Sequence, residues 1–267
     1  MTGAEGKVAE LRIQVGPVRT QVRRSGRGEP LVYLHGLFCW QGWPPFLQAL
    51  SRRFTVYAPV MPGFGESEGI EALDDVLDLA LYHLDLLEAL GLTSAHVVGH
   101  FLGAMAAAEM TALCPHKTRR LVLAAPAGLW SDEDPGEDLF ATPHQRLAEL
   151  LLTRPESELA RRLFPDPSDD EEEARLAQAE RVRNMSAVAR FLWPIPDKGL
   201  AKRLPRITTP ALVMVGGKDR VVPPSLGREA AGRMPHARLE VLEGAGHLFH
   251  LEDPGGFART VSSFLAG

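Results

Sequence analysis

The chain has 267 residues, of which 45% are hydrophobic and 24% charged, with a formal net charge of −5. That length suits one large α/β domain or a core domain with an inserted subdomain, and the composition suits an ordinary globular protein with a sizeable core. The mild negative charge gives no reason to expect nucleic acid or an anionic membrane as partner, and two cysteines, Cys39 and Cys114, exclude a disulfide framework.

The N-terminus, MTGAEGKVAELRIQV, has no apolar signal core. The longest apolar run, Leu121 to Trp130, is broken by Pro126 and is too short to span a bilayer. A soluble, cytoplasmic protein is expected.

Glu10–Val15 and Arg19–Arg24 alternate weakly around Gly16-Pro17 and predict an edge hairpin. Leu31–Leu34 is a short β-forming run that ends at His35-Gly36. Pro44–Phe54 has helical spacing, and Thr55–Val60 is strand-like before the loop composition of MPGFGES. Glu71–Leu90 predicts a helix with Leu73, Val76, Leu77, Ala80, Leu84, Leu87 and Leu90 on one face. Ala95–Val98 reads as a strand, Leu102–Leu113 as a helix and Leu121–Ala125 as a strand. Strands that are apolar throughout and alternate with helices imply a mainly parallel sheet with helices on both faces.

From about Ser131 to Leu204 the strand signals stop, and Arg, Glu, Leu and Ala dominate. A helical insertion is expected here. Ser168 with Glu171 forms a candidate capping box, and Asp169–Glu173 gathers acid at the positive end of a helix. The acidic run is read as a solvated helix start. The alternation resumes with strands at Ala211–Val215 and Leu239–Leu242 and a closing helix at Pro254–Leu265. The expected division is a core of residues 1–130 and 205–267 with a helical cap over 131–204.

Ligands of parallel sheets bind at the carboxyl ends of the strands. Those ends carry His35-Gly36-Leu37-Phe38, then Pro62-Gly63-Phe64-Gly65-Glu66-Ser67, then Gly99-His100-Phe101-Leu102-Gly103. After the insertion come Gly216-Gly217-Lys218-Asp219 and Gly244-Ala245-Gly246-His247.

These motifs, in this order, resemble the α/β-hydrolases of the lipase, esterase and C–C hydrolase group over nearly the whole chain. The resemblance implies an eight-stranded, mainly parallel α/β-hydrolase sheet with a helical cap. It implies His35-Gly36 as the oxyanion loop and Gly99–Gly103 as the nucleophile elbow. Asp219 falls at the acid position and His247 at the histidine position. The N–H groups of Leu37 and Leu102 would be the oxyanion donors, and Asp219 would fix the tautomer of His247. Taken singly, Asp219 is as well read as a turn cap and His247 as a plain loop residue.

The residue at the elbow tip is Phe101, where G-x-S-x-G places serine. Phenylalanine has no oxygen, no proton to lose and no lone pair, so it forms no acyl-enzyme. Loss of a triad nucleophile leaves about 10³–10⁴-fold catalysis over water, and a ring in the oxyanion pocket would block even that. Three explanations stay open at this level. The chain is a variant or engineered form of a serine hydrolase of small apolar esters; or a non-catalytic ligand-binding relative; or a general-base enzyme, of lyase or eliminase type, using His247–Asp219 without a covalent step.

Cys39, two residues past Leu37, is a candidate displaced nucleophile, against the plainer reading of a small buried hydrophobe. His100, which precedes the tip, and His250 are expected to pack or orient. The further pocket candidates are His35, Gly36, Phe38, Trp130, Trp193 and Leu248, with Trp40 and Trp43 flanking the cleft. No spacing suits a metal or a phosphate loop. No cofactor is expected, and the partner expected is a small, apolar molecule. The sequence leaves the oligomeric state open.

Overall fold

The computed structural model describes residues 7–38, 42–165, 170–194 and 198–267. Eight strands form one sheet in the order β1-β2-β4-β3-β5-β6-β7-β8. They are β1 Ala9–Val15, β2 Val18–Ser25, β3 Glu29–Leu34, β4 Phe54–Pro59, β5 Ala95–His100, β6 Thr118–Ala124, β7 Ala211–Gly216 and β8 Ala237–Leu242. β2 runs antiparallel to β1 and β4, and every pairing from β4 through β8 is parallel. The N-terminal hairpin thus forms one edge, as its weak alternation implies.

α1 Pro45–Leu50 packs against α10 Pro254–Ala266, while α2 Val76–Ala89 packs against α3 Leu102–Leu113. The insertion between β6 and β7 is helical: α4 Leu147–Leu151, α5 Glu158–Leu163, α6 Glu171–Leu192 and α7 Leu200–Arg203. α8 Pro224–Arg233, between β7 and β8, was not read from the sequence. α9 Phe249–Glu252 precedes α10.

Local chemistry sets the boundaries. α2 starts at Val76, not Glu71, because the Asp75 carboxylate accepts from the N–H groups of Leu77 and Asp78. Residues 70–72 form a separate 3₁₀ turn. The buried face of α2 runs through Val76, Leu79, Ala80, His83 and Leu87, so Leu77 is left 47% exposed. α6 is capped by Asp170, whose side chain accepts from Glu173 N–H, with Glu171, Glu172 and Glu173 in the first turn. Ser168 of the expected capping box lies outside the described residues.

Gly103 is where α3 meets the sheet. A Cβ there would collide with the Leu34 carbonyl oxygen and lie 2.5 Å from that of His35. Only glycine lets the helix come this close to the end of β3.

The core also holds polar rings. His35, His83, His100 and His250 are buried. Burial, foremost, holds His35 down at about 4 and both His83 and His250 at about 3, and it puts His100 well below the ordinary imidazole value. Neighbouring imidazoles add to this for His83, His100 and His250. Both ring nitrogens of His83 lack a hydrogen-bond partner.

Two outcomes follow for stability. Gly103→Ala is expected to lower the free energy of unfolding by about 1–3 kcal/mol, as overpacking does; an unchanged urea midpoint would contradict the close approach. Acid should act through the histidines. The unfolded chain takes up protons near pH 6.5, whereas the native rings stay neutral until about 4 or 3. Unfolding then binds protons, and stability falls by about 1.4 kcal/mol per histidine per pH unit as pH drops below 6.5. Urea melts at pH 7, 6 and 5 should show steepening loss, and a flat profile would contradict neutral burial.

Candidate active site

His247 meets the loop after β7 through Asp219 and the end of β5 through His100 and Phe101. It sits in the loop after β8 and is fully buried. Its Nδ1 lies 2.9 Å from Asp219 Oδ2. A carboxylate accepts, so Nδ1 carries the proton and Nε2 carries the lone pair. Asp219, in the loop after β7, uses its other oxygen as well: Oδ1 accepts from the N–H groups of Val221 and Val222, each at 2.9 Å. Asp219 thus bonds the turn with one oxygen and the His247 ring with the other.

His247 Nε2 is buried and has no hydrogen-bond partner. Its neighbour is Phe101, whose ring lies 5.0 Å from the imidazole, centroid to centroid, at an interplanar angle of 85°. Phe101 occupies the turn between β5 and α3 with φ 51° and ψ −112°. Positive φ is rare for a bulky side chain, and it is held here by hydrogen bonds. Phe101 N–H donates to Ala124 O at 3.0 Å, and Phe101 O accepts from Met105 N–H at 3.0 Å and Ala127 N–H at 3.3 Å.

Leu37 and Leu102 flank this turn. Both are buried, and among the described residues neither backbone N–H finds an acceptor. Leu102 is the first residue of α3, where an N–H has no intrahelical acceptor. Gly36 closes the gap: a Cβ there would lie 2.9 Å from Phe101 Cβ and 2.8 Å from His100 Nδ1.

The remaining candidates separate into two groups. His35 is occupied internally: Nε2 accepts from Met61 N–H at 2.9 Å and Nδ1 donates to Gly36 O at 3.0 Å. His100 Nε2 donates to His247 O at 3.1 Å, and its ring sits 4.1 Å from that of His250. Leu248 is buried, and its N–H donates to Leu151 O. His35, Gly36, His100 and Leu248 line neither the cavity beside Phe101 nor the one beneath α6, and His35 borders only a small one of about 20 Å³. Phe101, Trp130 and Trp193 line a cavity of about 280 Å³, with Leu129, Leu139, Leu192 and Val222 among its apolar walls. Phe38 lines a different cavity, beneath α6. Cys39 and Trp40 lie outside the described residues. His247 and Asp219 line neither cavity.

The apolar walls Leu139, Phe140 and Val222 escaped sequence reading, because single apolar residues in loops carry no periodic signal. Among the described residues no His, Cys, Asp or Glu group is arranged to hold a metal, and no helix is long and apolar enough to cross a membrane.

Relatives share this architecture. The 2-hydroxy-6-oxo-2,4-heptadienoate hydrolase of Pseudomonas putida is 26% identical over 283 aligned positions, spanning 100% of this chain and 99% of its own. RutD of Caulobacter sp. strain K31, named as a carbamate hydrolase, is 33% identical over 243 positions, covering 84% of this chain and 85% of its own. The crystal structure of a serine hydrolase from Cycloclasticus zankles superposes with a TM-score of 0.78 at 20% identity, covering 98% of this chain and 99% of that one. The sequence profile of the alpha/beta hydrolase family matches residues 31–260. With that match over most of its length, on the fold and strand order described, this chain is a member of the alpha/beta hydrolase family.

Proposed function

We propose that this protein is an α/β-hydrolase of carboxylic-ester type in which Phe101 stands in place of the nucleophilic serine, so that it binds a small apolar ligand without forming an acyl-enzyme. One observation carries the reading. His247 Nε2 is buried and has no partner among the described residues, and the His247 ring lies 5.0 Å from that of Phe101, edge to face.

A serine hydroxyl at position 101 would supply what each neighbour lacks. Its proton would pass to His247 Nε2 as its oxygen attacks an acyl carbon. The Leu37 and Leu102 N–H groups would receive the negative charge that develops on the carbonyl oxygen. Asp219 would stabilise the imidazolium, and His247 would return the proton to the leaving group. Water would then release the acyl group by the reverse assistance. Phe101 removes the first step, and its ring covers the base.

The apolar cavity beside Phe101 supports a small apolar ligand, with the helical stretch of residues 131–204 acting as its cap. The relatives named for hydrolysis of a dienoate and of a carbamate support an acyl-type parent chemistry. The seclusion of His247 weighs against the general-base alternative, because a base must come within hydrogen-bond reach of the proton it takes.

The unaltered protein is expected to release no p-nitrophenol from p-nitrophenyl acetate or butyrate beyond background, and to give no burst. Phe101→Ser should raise turnover by about 10³-fold or more. A folded Phe101→Ser protein that stays inert across a broad ester panel would overturn the proposal. On the Phe101→Ser background, Asp219→Asn should lower kcat by about 10⁴-fold, through loss of the productive tautomer. Stopped-flow traces of p-nitrophenol release check both changes. The general-base alternative instead requires turnover by the unaltered protein that His247→Ala abolishes.

A further inference from the structure

A second chamber, of about 550 Å³, lies beneath α6 and shares no lining residue with the Phe101 cavity. Leu37, Phe38, Leu147 and Phe164 form part of its apolar wall. Phe38 and Phe164 meet edge to face with ring centroids 5.6 Å apart.

The polar lining is what sets it apart. Trp43 Nε1, His144 Nε2 and Asn184 Oδ1, on residues that line it, are buried with no hydrogen-bond partner among the described residues. Three orphaned polar atoms around one cavity are costly unless something else meets them. Arg162 and Arg181 also line the chamber, and among the described residues neither is ion-paired. Glu180 is the one carboxylate in the lining, and it is exposed. Two guanidinium groups against one carboxylate leave the chamber with net positive charge, on a chain of net charge −5.

Indole and guanidinium N–H groups only donate. Donors therefore outnumber acceptors, and a complementary head group is rich in acceptors and negative. We infer that this chamber is a ligand site in its own right, for a small organic anion. Arg162, Arg181 and Trp43 hold its carboxylate or phosphate head, and its apolar body lies against Phe38 and Phe164. Leu37, whose N–H is proposed as an oxyanion donor, also lines this chamber, so the inference rests on that reading of the site, while the residues that hold the charged head line this chamber and not the Phe101 cavity.

The test is calorimetric titration of the intact protein with 4-phenylbutyrate, 4-phenylbutyl phosphate and 4-phenylbutanol, which share one body and differ in the head. At least one anion is expected to bind tenfold or more tightly than the alcohol, and which of the two does so identifies the head group. Raising the salt should shrink that advantage, because it rests on charge. Arg162→Gln with Arg181→Gln should bring the anion down to the level of the alcohol. Equal affinity for all three ligands, or a preference that survives in the folded double variant, overturns the inference. If the double variant fails to fold, Arg162→Gln alone, at an exposed position, must lower the preference at least threefold, and no change there overturns the inference equally.

Discussion

The architecture of the site hangs on the backbone of one residue. Phe101 is held at positive φ between β5 and α3. A bulky side chain in that region costs roughly 1–3 kcal/mol and persists only where its surroundings over-determine it. Here they do. Its N–H and carbonyl tie the turn to β6, to α3 and to the loop after β6, while Gly103 lets the helix seat against β3. If the turn relaxed, β3, β5 and β6 would lose their common edge, and Leu37, Leu102 and His247 would no longer face one point. Strain of this kind is characteristic of functional turns, and here it presents a side chain with no reactive atom.

Hydrogen-bond accounting explains the rest of the site. Asp219 satisfies a turn with one oxygen and His247 with the other. His100 fastens the His247 backbone, and His35 fastens the loop at Met61. Beside Phe101, His247 Nε2 is left without a partner among the described residues. A hydroxyl group would meet it. A phenyl ring offers neither a hydrogen-bond donor nor an acceptor of the ordinary kind.

The helical insertion adds shape. α6 is anchored at its C-terminal end, where Ala187, Val188, Phe191 and Leu192 are buried and Arg190 Nε donates to Leu73 O at 2.6 Å. Its N-terminal half carries no fully buried side chain and overlies the chamber lined by Arg181 and Asn184. The same helix thus borders two cavities, because Leu192 and Trp193 at its end line the one beside Phe101. One long helix with a polar start and an apolar finish is sufficient to divide the space above the sheet.

By itself the sequence determined the alternation of strands and helices, the helix over Leu102–Leu113 and the positions of Asp219 and His247. Each is written in local composition: apolar runs, glycines at strand ends, a helical period. It also marked Phe101 as the anomaly at the tip of the turn. Only the tertiary structure decided that Leu77 leaves the buried face of α2, that α8 exists, that His247 is sealed from both cavities and that Trp43, His144, Arg162, Arg181 and Asn184 meet in one chamber. The chamber joins Trp43 to residues a hundred or more positions further along the chain, and no periodicity within a segment records which distant surface will cover it.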